Sequence, residues 1–357
     1  MKLNLIAGSA ALFAASLAIA QDQPLVMKAN LIVGAHREGN YWPNPAAKEP
    51  VYNMWTWGPR YEFTVLGPLA GGSQLSVETY KPDGSPWLTY PIQTPEITAD
   101  DAHRFMVPNS HDEKKLIPMT GAFSFKIMLK NELTKTNTVL YQGKFTVNKF
   151  HYGNNLPQFK NQFEYYVEND WRLPYGLLFA DSQMDAEAPR LRILMWFRDT
   201  EKVLTTDDAA CYVFFNGKQI ASTKTNGGAI SKLQVNTSGM NAGEPGWRTM
   251  VFFVNQISTG RIPASNNNYR DIHWLDKNPG VYEIKVLREG KLARTARFTV
   301  GADGKIADNG IAAKNKFGGD SMLLPIKIEP GMDGKADMNA WKQGFFYNPV
   351  AGFTPEQ

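Results

Sequence analysis

The chain has 357 residues, with 38 Lys or Arg against 34 Asp or Glu, for a formal net charge of +4. So slight a basic balance, with no run of five or more cationic residues, excludes the electrostatic footprint of a nucleic-acid-binding protein. A single cysteine, Cys211, excludes an intramolecular disulfide, so stability must come from packing, and the length suffices for two or three domains.

Met1 and Lys2 open a mostly apolar stretch from Leu3 to Ala18, and Ala18-Ile19-Ala20 is a small-x-small cleavage signal before Gln21. The pattern predicts a secretory signal peptide over residues 1–20 and a secreted or periplasmic product. Gln21, where a lipidated chain would have cysteine, argues against a lipid anchor, and no later apolar run is long enough to span a bilayer as a helix. Residues 21–50 read as a leader with one strand at Leu25–Val33 and a Pro- and Asn-rich loop.

From residue 51 onward strand signals dominate. Tyr61, Phe63 and Val65 alternate with polar residues, as do Leu75, Val77 and Thr79 before the turn sequence Lys81-Pro82-Asp83-Gly84. Leu191, Ile193, Met195 and Phe197 share one parity, with Arg190, Arg192 and Arg198 on the other, as a half-buried strand requires. Cys211–Phe215, Asn216-Gly217 and Lys218–Ser222 form the clearest hairpin, because Asn-Gly tolerates the positive φ angles of a type I′ turn. Met250–Val254 is a continuous apolar run, expected for a strand buried on both faces. The only helix candidates, Met184–Ala188 and Ala336–Lys342, are short.

An internal repeat organises these elements. Gly121-Ala122-Phe123-Ser124-Phe125-Lys126-Ile127 aligns with Gly280-Val281-Tyr282-Glu283-Ile284-Lys285-Val286, and Lys144-Phe145-Thr146-Val147 with Arg297-Phe298-Thr299-Val300. Each copy resembles the last two strands of an immunoglobulin-like or fibronectin-like sandwich, although the Cys…Trp…Cys pattern of antibody domains is missing. The expected fold is all-β: two tandem antiparallel β-sandwiches over 51–150 and 169–301, joined by a linker at 151–168. A Gly-, Asp- and Lys-rich extension occupies 302–357, with strand signal at Met322–Ile328.

Candidate chemistry is sparse. Gly319-Asp320-Ser321-Met322 resembles the nucleophile segment of the Gly-Asp-Ser-Leu esterases over four residues, one of which departs. That family's histidine follows its serine, whereas the last histidine here is His273, so no catalytic role is assigned to Ser321. The five histidines show no metal-ligand spacing. Asp100, Asp101 and His103, with His111, Asp112 and Glu113, make the densest group of potential ligands and read equally as a solvated loop. Asp303-Gly304-Lys305 with Asp308, and Asp333-Gly334-Lys335 with Asp337, resemble fragments of calcium loops but lack their carboxylate density. Cys211, between apolar neighbours in a strand, reads as a buried, inert thiol.

Aromatic residues offer the better binding surface. Trp55-Thr56-Trp57 places two indoles on one strand face, and Trp87, Trp247 and Tyr269 lie near strand ends or loops, so these five are the candidate ligand contacts. Core or interdomain packing is the competing role for each. The sequence therefore predicts a secreted, non-catalytic binding or scaffold protein with a protein or polysaccharide partner at the cell surface, no nucleic acid, no metal and no cofactor. The alternatives are a carbohydrate-binding accessory protein that uses exposed tryptophans, and a hydrolase whose acidic pair assembles only in the fold.

Overall fold

Apolar residues at every second position give a chain one face to hide, and pairing into sheets hides it. The computed structural model describes residues 23–36, 56–98, 101–151, 163–181, 188–199, 209–224, 229–234, 246–260, 271–318 and 321–356. Its strands form four sheets, antiparallel throughout except for one short parallel contact, and its one described α-helix, α1 (Ile311–Lys314), is a single turn. No helix among the described residues is long and apolar enough to cross a membrane.

In the first half, β1 (Leu25–Val26) and β2 (Ile32–His36) succeed one another along one edge of β3 (Gly58–Leu66). The facing sheet takes β4 (Ser73–Tyr80), β5 (Pro86–Gln93), β7 (Gly121–Asn131), β8 (Thr136–His151) and β9 (Phe163–Val167) in the order β5-β4-β7-β8-β9. Strand β6 (Ala102–Val107) returns to the other edge of β3. Tyr61, Phe63, Val65, Leu75 and Val77 are fully buried between the sheets, on the parity the alternation assigned them.

The second half is built from two further sheets. One sheet runs β14-β15-β11-β10-β19 and the other β13-β12-β17-β18-β20. These are β10 (Tyr175–Asp181), β11 (Arg190–Asp199), β12 (Ala209–Phe215), β13 (Lys218–Ser222), β14 (Ala229–Gln234), β15 (Gly246–Ser258), β16 (His273–Trp274), β17 (Gly280–Arg288), β18 (Lys291–Val300), β19 (Met322–Pro325) and β20 (Lys327–Ile328). The pairing β2-β3-β6 thus matches β10-β11-β15, and β5-β4-β7-β8 matches β13-β12-β17-β18.

The two aligned segments share several local features. Gly121 and Gly280 open β7 and β17 at φ 126° and 145°, values that a side chain rarely permits. Phe123 stacks on Phe145 and Tyr282 on Phe298 across equivalent rungs. Both ladders shift register six residues after the opening glycine, at Ile127/Met128 and Val286/Leu287. Lys126 lies over Tyr80 at 5.4 Å and Lys285 over Phe214 at 4.8 Å, each on the same diagonal of the neighbouring strand. Asn216 and Gly217 adopt φ 50° and 75°, as the type I′ hairpin demands.

Several expectations change. The leader strand at Leu25–Val33 is two strands broken by a 3-10 turn at Lys28–Asn30, and both belong to the first sandwich. The linker at 151–168 contains β9, which extends the β8 sheet. Strand β11 is covered on both faces, because Arg192 and Trp196 are buried beneath neighbouring elements. Met250–Val254 is the half-buried one: Met250, Phe252 and Val254 point inward while Val251 and Phe253 keep some exposure. A 3-10 turn at Ala340–Gln343 replaces the helix expected at Ala336–Lys342, and Met184–Ala188 lies mostly outside the described residues.

The C-terminal extension ties the halves together. Strand β19 pairs with β10 in one sheet of the second half, and β20 pairs with β18 in the other. Further on, the Lys144 amide donates to the Phe346 carbonyl, which pins the tail to β8 in the first half. Gly143 makes this possible, since a Cβ there would lie 2.8 Å from Phe346 Cβ and 2.9 Å from Phe125 Cε1.

Candidate functional site

A dense collection of polar and aromatic groups lies in a seam between the two halves. Phe345 is its hub: Trp171, Tyr175 and Phe317 meet it at centroid distances of 4.8, 4.9 and 4.8 Å, and Trp196 at 6.2 Å. Beside it the buried Arg172 guanidinium lies 4.3 Å from the Trp171 ring and 5.2 Å from Phe346, donating to Asn169 Oδ1 and to the Leu31 carbonyl. Burial pushes its pKa down, and the aromatic faces and carbonyl oxygens supply the negative potential that a carboxylate would otherwise provide.

One edge of the seam carries two acids. Asp170, 4 % exposed, accepts from Trp247 Nε1 at 2.9 Å through Oδ1, and from the Asp337 amide at 2.8 Å and Arg198 Nη1 at 3.3 Å through Oδ2. Glu168 Oε1 accepts from the Asp170 amide at 2.9 Å. Burial, and next the Asp170 charge, push the Glu168 carboxyl up to about 7. Tyr166 approaches Trp247 at 5.9 Å, and burial raises its phenol as well. A carboxyl raised to about 7 beside a second carboxyl group is an arrangement that general acid–base catalysis uses. Here, however, both Asp170 oxygens are taken by donors from β11, β15 and the tail, so the carboxylate holds three elements in place.

Two of the tryptophans chosen from sequence, Trp57 and Trp247, turn inward. Trp57 is 1 % exposed, with its edge contacts to Trp87 and Phe123 at 5.1 and 4.9 Å and its Nε1 donated to the Met119 carbonyl. Trp247 is fully buried on Asp170. Neither ring offers a face to a ligand. Trp87 is half-buried, with its Nε1 on the Lys115 carbonyl, and keeps a partial surface. Trp55 and Tyr269 lie outside the described residues.

The remaining candidates disperse. Asp101 accepts from Thr98, His103 packs on Phe105, and Asp112 accepts from the Lys114 amide. His111 instead approaches His36, 75 positions away in sequence, with ring centroids 6.0 Å apart, and bonds Tyr90 Oη through Nδ1. Spacing gave no hint of that pair. Asp303, Asp308 and Asp337 accept backbone amides within their own turns, and Asp333 is buried against Arg294 at 2.6 Å. Among the described residues no three His, Cys, Asp or Glu side chains come together to hold a metal. His273 Nε2 bonds the Tyr282 hydroxyl. Cys211 is buried as expected, and burial raises its thiol pKa strongly.

A groove of about 380 Å³ opens where β1, the early part of β8 and the turn after α1 meet. Leu25, Val26 and Val139 give it apolar walls, and Lys28 and Lys316 give it charge. Sequence reading missed it because its walls come from four segments of the chain, around Leu25, Val139, Lys316 and Asn348, none carrying a motif. No protein-family model matches this sequence, and no curated protein matches it.

Proposed function

We propose that this chain is an exported, non-catalytic binding or scaffold protein built from two tandem immunoglobulin- or fibronectin-like sandwiches, acting in the periplasm or outside the cell on a protein or polysaccharide. The observation that carries this reading is the seam. Its aromatic hub, buried Arg172 and triply engaged Asp170 fix one sandwich against the other, so surfaces on both halves hold a constant spacing, as a scaffold needs. The matched strand orders support the tandem assignment, and the signal-like residues 1–20 support export. The inward turn of Trp57 and Trp247 weighs against a tryptophan platform for sugars.

A second reading, a hydrolase, has one observation in its favour: the Glu168 carboxyl raised to about 7 beside Asp170. Expressing the full chain in a Gram-negative host and assaying the envelope fraction separates the two. The scaffold reading expects a processed N-terminus at Gln21, retention of the chain on a defined envelope protein or polysaccharide, and no turnover of ester or glycoside panels. Turnover that Glu168→Gln abolishes while the fold survives would establish the hydrolase instead, and a chain left unprocessed in the cytoplasm would remove export.

A further inference from the structure

The groove beside α1 brings two cations together, and none of the described residues that line it is acidic. Lys28 is largely buried; its Nζ donates to the Asn315 carbonyl and lies 5.8 Å from the Phe317 ring centroid. Lys316 is exposed, and among the described residues neither lysine makes an ion pair. Both line one cavity, and the proximity of Lys316 adds to burial in lowering the Lys28 pKa. Like charges held close are unfavourable until an anion sits between them.

The geometry is fixed from behind. The Lys28 amide donates to the Phe317 carbonyl, and the turn carrying Lys316 closes α1 through bonds from Lys316 and Phe317 to Ala313 and Ala312. Asn348, also in the lining, donates through Nδ2 to Tyr141 Oη and to the Gln142 carbonyl. Leu25, Val26 and Val139 give the groove its apolar lining, and Val139 keeps 45 % of its surface exposed.

We propose that this groove binds a small amphiphilic anion, with a carboxylate or phosphate head between Lys28 and Lys316 and an apolar tail along Leu25, Val26 and Val139. The charge selects the head, the walls select the tail, and the volume lies at the small end of the usual range of about 300–1,000 Å³ for ligand sites. Such a ligand fits the groove whether or not the chain serves as a scaffold, because none of the seam residues lines it.

Titration calorimetry of the full chain with decanoate, decyl phosphate, decanol and a hexaglutamate peptide tests it. Saturable one-to-one binding is expected for decanoate and decyl phosphate, with whichever binds tighter naming the head group, and decanol should bind at least tenfold more weakly. Lys316→Glu, at an exposed position, should weaken decanoate at least tenfold, which is about 1.4 kcal/mol. Val139→Trp should block the tail, while Lys114→Glu, elsewhere on the surface, should change nothing. Decanol binding as tightly as decanoate, unchanged affinity in Lys316→Glu, or no saturable binding at millimolar ligand would each overturn the proposal. Hexaglutamate binding in preference to decanoate would also overturn it and make the groove a peptide site.

Discussion

Asp333→Ala is expected to be among the most damaging single substitutions in the chain. The Arg294 side chain is 0 % exposed and that of Asp333 2 %, with Nη2 and Oδ2 2.6 Å apart. Asp333 Oδ1 also accepts from the Arg198 amide at 2.9 Å, so one carboxylate joins the tail to β11 and β18. Removing it leaves a buried guanidinium with only the Ala293 and Trp196 carbonyls as acceptors. Breaking one side of a buried pair costs about 3–5 kcal/mol, more than a hundredfold in the folding constant. With a urea m-value of about 3 kcal/mol/M, the midpoint should fall by roughly 1 M or more, as read by tryptophan fluorescence. Asp333→Asn keeps an acceptor for the Arg198 amide and should lose less. The double variant Arg294→Met, Asp333→Leu removes both charges and leaves chiefly that amide unpaired, at about 1–3 kcal/mol. A loss below about 1 kcal/mol for Asp333→Ala, or a double variant as costly as its singles added together, would refute the assignment of the pair as the clamp.

Glu168 makes stability depend on pH. With its carboxyl near 7 in the fold and 4.5 as the ordinary value, the folded protein holds a proton that the unfolded chain releases between those limits. Stability should therefore fall as pH rises from about 4.5 to about 7, and Glu168→Gln should flatten the decline in a thermal melt series. Cys211 should resist alkylation in the native protein and react fully in urea, as mass spectrometry would report. Gly143→Val should push Phe346 off β8, cost about 1–3 kcal/mol by overpacking, and open the tail to trypsin at Lys342, while the wild type stays intact.

The hairpins are legible because their cues are local. Parity, an opening glycine and a basic-Phe-Thr-Val close each describe one hairpin, and β7–β8 and β17–β18 form such hairpins. What covers a face is not local. Arg192 sits on the polar parity of β11 yet is buried, its charge met by Asp181 at 3.1 Å and its plane lying over Phe253. Trp57 failed as a platform for the same reason: alternation groups side chains by face without saying which face is outside. The seam left even less trace. Phe345, Phe346 and Phe353 follow no period of two, because they fill a gap between two bodies and not one side of a strand. Glu168 and Asp170 sat at the edge of what read as a linker, where a joint was not expected.

The crossing of residues 322–328 from one sheet of the second half to the other carries a consequence for assembly. Because those residues, with Phe345 and Phe346, pack against strands made much earlier in the chain, neither half is finished until the ribosome has delivered the last segment. A premature stop shortly before Met322 would spare every hairpin in the chain and still expose the edges of β10 and β18 and an open aromatic cavity. Such a truncated product should be prone to aggregation out of all proportion to the length it has lost.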